Sequence, residues 1–248
     1  MWFAKSKYSE YFHPTDAELT VRILQEFGSS PQVAEIGVWK GAWVGTMLRN
    51  QPGCTAVGID PYPNGELVKQ QMEEHLTSIG VKDRFQLFKS FDDVPREMKF
   101  EIIHIDGLHT ESQVLQDFKH SMERLADDGV IVLDDFRHLW FPGITSALFS
   151  FLYSSDFKLF MISANKAYLA RKGRAQFLWN QLREDAESLN HVVLSTSWTE
   201  FNGGRYEQQT DVLGQPVLIA TPAMSPRLFF RMLSKVPMYL RFLLRSRS

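Results

Sequence analysis

Runs of apolar, β-branched residues recur at positions 33–38, 55–59, 85–88, 100–105 and 130–133. Between them the apolar spacing turns helical, at 43–49, 67–79, briefly near Val94, and at 112–125. Strands that hide both faces and alternate with helices belong in a parallel sheet covered on either side. A further helix is predicted over 144–153. It is followed by two strand-like runs, 157–163 and 166–171, around Ala164-Asn165, which predicts an antiparallel hairpin. Ahead of the first strand, 14–27 reads as a helix, with Thr15 as N-cap and Gly28 as its stop. Beyond the hairpin, 175–189 reads as helical. Residues 191–195 and 216–220 read as short strands around a polar loop containing Gly203-Gly204.

Composition narrows this little. With 44% hydrophobic and 23% charged residues the chain is of ordinary globular make-up, which excludes disordered, collagenous and coiled-coil classes. A net charge of -2 gives no global field calling for nucleic acid. The balance is uneven, however. Residues 225–248 hold six basic side chains and no acid, so the rest carries 21 basic against 29 acidic residues. Large apolar residues interleave with those arginines. The tail therefore reads either as a helical stretch lying on a membrane surface, broken at Pro237, or as a terminal helix docked on the body or on a second copy. The single cysteine, Cys54, forms no internal disulfide, which fits a reducing compartment. The first eight residues lack the apolar core of a signal peptide, and no apolar run approaches the roughly 20 residues of a spanning helix. A cytoplasmic protein is expected, peripheral at the inner face of the membrane if the tail meets lipid.

The first strand ends in Glu35-Ile36-Gly37-Val38-Trp39-Lys40-Gly41, a glycine turn opening a helix. Such a turn lets a ligand approach the backbone closely. The dinucleotide pattern G-x-G-x-x-G is missing, which argues against a nicotinamide oxidoreductase. Glu35 beside the turn would repel a pyrophosphate and favour a cationic ligand, such as S-adenosylmethionine with its ammonium and sulfonium groups. Asp60, ending the second strand in Gly58-Ile59-Asp60-Pro61-Tyr62, should reach the same crevice and accept the ribose hydroxyls. Glu35, Gly37, Gly41 and Asp60 are thus candidate cofactor residues; the alternative is a tight turn with Asp60 as a loop cap.

The densest signal is Ile105-Asp106-Gly107-Leu108-His109 together with Leu133-Asp134-Asp135. Asp106 ends one strand and the aspartate pair ends the next. Strands about 4.8 Å apart allow the three acids to converge on one ion. Three hard oxygen ligands suit Mg²⁺, Mn²⁺ or Ca²⁺ rather than zinc, unless the aspartates merely cap turns. His109 stands at a helix start, which disfavours imidazolium and leaves either a neutral base or a plain helix-start residue. Trp39, Trp43, Tyr62, Trp140 and Phe141 flank these loops and either stack on a ligand or pack the core. His13, His75, His104, His120 and His191 show no ligand spacing.

With both motif sets in view, the chain resembles class I S-adenosylmethionine-dependent methyltransferases from about residue 14 to 171. Within them it is most similar to the macrocin-type sugar O-methyltransferases. The resemblance implies a Rossmann-like, seven-stranded, mostly parallel α/β sheet of order 3-2-1-4-5-7-6, with the terminal hairpin and helices on both faces. It divides the chain into an N-terminal helical lid (1–30), the methyltransferase core (31–173), a C-terminal extension (174–224) and the basic amphipathic tail (225–248). It implies that Asp106, Asp134 and Asp135 hold Mg²⁺ or Mn²⁺ against two neighbouring sugar hydroxyls. Asp106 thereby counts among the cofactor, catalytic and metal candidates. The acid that serves as base in some members is replaced here by Leu108, which leaves His109 in that role. Tyr62 and Ser90 join the cofactor residues; Ser90 also reads as a helix cap within Ser90-Phe91-Asp92-Asp93. Arg137, His138, Trp140 and Pro142 follow the metal pair and are expected to shape the acceptor pocket. The expected activity is metal-dependent O-methylation of a sugar or glycoconjugate. Its competitors are a catechol-type O-methyltransferase and a non-catalytic nucleotide-binding protein.

Overall fold

The computed structural model describes residues 14–163, 165–190, 192–196 and 211–222. The chain runs α1 (Pro14–Gln25), β1 (Gln32–Ile36), α2 (Ala42–Asn50), β2 (Thr55–Ile59), α3 (Glu66–Ser78), β3 (Phe85–Phe88), β4 (Phe100–Ile105) and α4 (Glu111–Arg124). It continues through β5 (Leu125–Leu133), α5 (Pro142–Ser154), β6 (Phe157–Ile162), β7 (Ala167–Arg171), α6 (Lys172–Glu184) and β8 (Val192–Ser195). It closes with β9 (Asp211–Val212), β10 (Gln215–Pro216) and β11 (Leu218–Pro222). The helix expected near Val94 is a single 3-10 turn over Phe91–Asp93, too short to bury an apolar stripe of its own.

One sheet organises the molecule, in the order β3-β2-β1-β4-β5-β7-β6-β11-β8. The seven strands from β3 to β6 follow the expected α/β Rossmann-like order, with β7 antiparallel to both β5 and β6. Two further strands lengthen the sheet past β6: β11 runs parallel to β6, and β8 runs antiparallel to β11. The sequence marks both as short strands, and only tertiary pairing gives them a place. The Gly203-Gly204 loop, residues 1–13 of the expected lid and the basic tail 225–248 lie outside the described residues.

Strand alternation sends side chains to two cores. On one face Val33, Ile102, Val130 and Val132 meet α1, α2 and α6 through Leu19, Ile23, Met47, Leu48 and Leu178. On the other, Ala34, Ile103, Ile105, Ile131 and Leu133 meet α4 and α5, where Phe118 stacks on Phe151 with ring centroids 4.1 Å apart. The α1 helix is fastened to the far end of the chain. The Glu18 carboxylate accepts the Asn190 amide at 2.8 Å, and Arg22 pairs with Asp185. Among the described residues, no helix is long and apolar enough to cross a membrane.

Cys54 is fully buried, and that burial pushes its thiol up to about 12. Native protein at pH 8 should therefore resist alkylation by iodoacetamide and react only after unfolding. Rapid labelling of the folded chain, read by mass spectrometry, would contradict this placement.

Candidate active site

The parallel strands β2, β1, β4 and β5 end level with one another. Their ladder continues one residue beyond each: Gly37 N donates to Ile59 O at 2.9 Å, Asp106 N to Ile36 O at 2.8 Å, and Asp134 N to Ile105 O at 2.9 Å. Asp60, Gly37, Asp106 and Asp134 therefore stand side by side. Sheet order reverses between β1 and β4, and a crevice at such a reversal is where open α/β sheets bind ligands.

The glycine loop is held from below by Asp60. Its Oδ2 accepts the Val38 and Trp39 amides at 3.1 and 3.0 Å, and its Oδ1 accepts the Tyr62 amide at 2.6 Å. Three of about four acceptor positions are thus used, which leaves room for one ribose hydroxyl rather than two. The Tyr62 hydroxyl donates to Trp39 O at 3.0 Å and ties the two loops together. Gly41 opens α2 in the left-handed region at φ 70°, a conformation that favours glycine. Ser90 follows β3, whose Phe88 O accepts the Asp60 amide at 3.0 Å. Both its amide and its hydroxyl donate to Asp93 Oδ2, at 3.1 and 2.9 Å, as a cap of the 3-10 turn.

Glu35 points into the protein. Its Oε2 accepts the Val44 amide at the start of α2 at 3.3 Å, and its Oε1 lies 3.2 Å from His104 Nδ1. Burial raises this carboxyl to about 7, even with His104 opposing the shift. The His104 ring stacks face to face on Trp43, centroids 4.7 Å apart, and its Nε2 lies 3.0 Å from Lys166 Nζ. Lys166 in turn pairs with Asp134 Oδ2. Four buried polar groups, Glu35, His104, Lys166 and Asp134, thus form one chain under the crevice. Burial alone would push Asp134 up, but the Lys166 ammonium and His104 hold it well below the usual carboxylate range. Burial would likewise lower Lys166, yet Asp134, Asp106 and Asp16 keep it raised.

The sequence shows no ligand spacing at His104 and reads Asn165 and Lys166 only as part of the hairpin. All three belong to the site. The Asn165 amide nitrogen donates to Asp134 Oδ1 at 3.1 Å and also to Asp135 Oδ1, so the β6–β7 turn grips both aspartates.

Above the buried chain lies a more open cluster. His109 Nε2 is 3.3 Å from Asp106 Oδ1, and His109 Nδ1 is 3.7 Å from Asp135 Oδ2. The three expected metal acids are divided. Among the described residues, ligand atoms of Asp106, His109 and Asp135 lie within 4.8 Å of one another, and so do those of His104, Asp106 and Asp134. Asp106 is common to both groups. The Asp106 hydrogen bond, with the charges of Asp106, Asp135 and Asp134, raises the His109 pKa against burial. His109 precedes the Thr110 cap of α4, so the carboxylates outweigh the helix terminus. The Phe141 ring meets His109 edge-on at 4.4 Å and stacks on His138 at 4.7 Å. Arg137 donates to Ser163 O at 2.5 Å. Leu108, Leu139 and Trp140 stand exposed around this opening.

Four non-glycine residues among those described have positive φ. Three of them, Trp39, Tyr62 and Asp135, border this crevice at 45°, 51° and 52°. Backbone strain concentrated in one place marks a site whose geometry is imposed by its surroundings.

Residues 34–136 match the family described as Methyltransferase domain, a stretch that holds Glu35, Gly37, Asp60, Asp106, His109 and both aspartates after β5. In fold the chain is similar to cofactor-bound Rv0187 from MTB, with a TM-score of 0.55 and 14% identity over 64% of this chain and 80% of that one. It is similar to the SAH-bound methyltransferase PaMTH1 of Podospora anserina, with a TM-score of 0.52 and 14% identity over 67% and 85%. The O-methyltransferase NovP gives a TM-score of 0.50 and 14% identity over 63% and 78%. No curated protein matches the sequence. At these identities the structural likeness is one of fold. The domain match adds that residues 34–136 are similar to methyltransferase domains.

Proposed function

We propose that the protein transfers the methyl group of S-adenosylmethionine to a hydroxyl of a sugar or glycoconjugate, with Mg²⁺ or Mn²⁺ at the acid cluster. The observation that carries this reading is the pairing of His109 with Asp106 and Asp135 at the open end of β4 and β5. Such an arrangement offers a proton acceptor beside hard oxygen ligands. The acids fit a divalent cation: they are partly open to solvent, close together, and set at the rim of the cofactor crevice. Ligands for it would come from among the strand-end acids Asp106, Asp134 and Asp135, and the ion would supply Lewis acidity toward the acceptor hydroxyl.

The rest falls to the chain itself. The Gly37 turn and Asp60 shape the cofactor end, and Glu35 braces α2 from inside. His109 takes the proton from the acceptor, while Asp106 and Asp135 on either side stabilise the imidazolium that forms. The aromatic edge of Phe141 and the exposed Trp140 suit the apolar face of a sugar ring. They would also receive a flat phenol, so a catechol-type acceptor is the second reading, and a side-by-side acceptor screen separates the two.

Treatment with EDTA should abolish turnover, and added Mg²⁺ or Mn²⁺ should restore it. Full activity after exhaustive chelation would remove the ion from the reaction. For His109→Ala the expected loss is about 10²–10⁴-fold in kcat, with cofactor affinity retained by calorimetry. A near-normal kcat would return His109 to a structural role.

A further inference from the structure

We propose that Lys166 is a resident cation that commits Asp134 to the protein, so that a divalent ion at this site is bound by Asp106 and Asp135. The inference deepens the metal-dependent reading above and rests on it.

The argument begins with how the Asp134 oxygens are used. Oδ2 pairs with the Lys166 ammonium and lies 3.4 Å from His104 Nε2. Oδ1 accepts the Asp135 amide at 2.8 Å and the Asn165 side chain at 3.1 Å. Three donors, the Lys166 ammonium, the Asp135 amide and the Asn165 amide, already occupy this carboxylate, and the His104 ring crowds its remaining side. Asp135 is different. Its Oδ1 accepts from Asn165, but its Oδ2 faces His109 across 3.7 Å, and its side chain is more exposed than that of Asp134.

Position reinforces this division. Lys166 is 3% exposed and immediately precedes β7, whose Ala167 pairs with Leu133 just before Asp134. The hairpin register therefore brings the ammonium to the carboxylate without any long side-chain search. A buried ammonium keeps a carboxylate ionised and satisfied. Recruiting that carboxylate to a second cation would leave the ammonium buried against its own kind of charge. The two three-residue clusters already reflect the outcome, with Asp134 in the buried one and Asp135 in the open one.

Binding of Mn²⁺ alone to the full-length protein, followed by water-proton relaxation, tests this without reference to turnover. Asp135→Asn should weaken Mn²⁺ by at least about tenfold, whereas Asp134→Asn should change it by less than about threefold. Lys166→Met should tighten Mn²⁺ by about tenfold by releasing Asp134, and adding Asp134→Asn to that variant should reverse the gain. An Asp134→Asn loss equal to that of Asp135→Asn, with Lys166 in place, would overturn the proposal. If Lys166→Met does not fold, the comparison of the two aspartate variants decides alone. Mn²⁺ binding by Lys166→Met but not by the unaltered protein would support the role of Lys166 and overturn metal dependence. Failure of both to bind would overturn both.

Discussion

Replacing Gly37 by alanine is expected to unfold the sheet at its centre. Gly37 has φ +83°, and a Cβ placed there would stand 2.0 Å from the Asp106 carbonyl oxygen and 2.6 Å from its carbon. Neither obstacle is a movable side chain. Relief would require β1 to part from β4, where Asp106 N is bonded to Ile36 O. A clash of this kind, added to left-handed strain, belongs with the large mutational effects, about 4 kcal/mol or more. For a domain of this size that lowers the thermal midpoint by roughly 10 °C or leaves the protein insoluble. Gly173→Ala is the matching control: it lies in α6, a Cβ there meets nothing within 4 Å, and alanine should hold or raise stability by up to about 1 kcal/mol. Equal melting curves for the two variants would show that the strand ends have slack at Gly37.

Asp60→Ala should injure both stability and cofactor binding. The substitution strands the amides of Val38, Trp39 and Tyr62, and two of those residues are held at positive φ. Hydrogen bonds to a charged acceptor are worth about 1.5–3 kcal/mol each and are not additive, so a net loss of about 3–5 kcal/mol is expected. The Kd for S-adenosylmethionine should rise by at least about tenfold, because the loop that approaches the cofactor loses its brace. Urea denaturation and calorimetry on the same preparation read the two effects separately. An unaltered Kd would remove Asp60 from the cofactor site, and an unaltered unfolding midpoint would remove it from the loop.

The sheet was legible because its central strands are apolar on both faces, a pattern that helices and solvent-facing strands do not produce. Strand-end acids were legible for a related reason: Asp60, Asp106 and Asp134 each interrupt an apolar run at its last residue. What escaped were partners brought together by pairing across the sheet. Lys166 opens an apolar run and reads locally as a solvated hairpin residue, while its carboxylate lies 32 positions earlier. The antiparallel register of β5 and β7 joins them, and no spacing rule within either segment contains it. Glu35 was read as facing a ligand because it adjoins the glycine turn. Strand alternation instead turns it inward, and its Cα partner on β4 is His104. A lysine at the mouth of a predicted hairpin, one strand away from paired aspartates, is the signal that could have found the buried chain.

The strands β8 and β11 give the region after residue 190 a consequence for handling the protein. Phe157–Ile162 reads FKLFMI, six residues with a single charge, and its outer backbone edge is covered by β11. A chain ending after β7 would leave that edge bare and withdraw the cover that β8 and β11 give to α1. Unprotected strands of this composition recruit copies of themselves through their free amides and carbonyls. Shortening should therefore convert a covered edge into a seed for self-association, while leaving every side chain at the crevice in place.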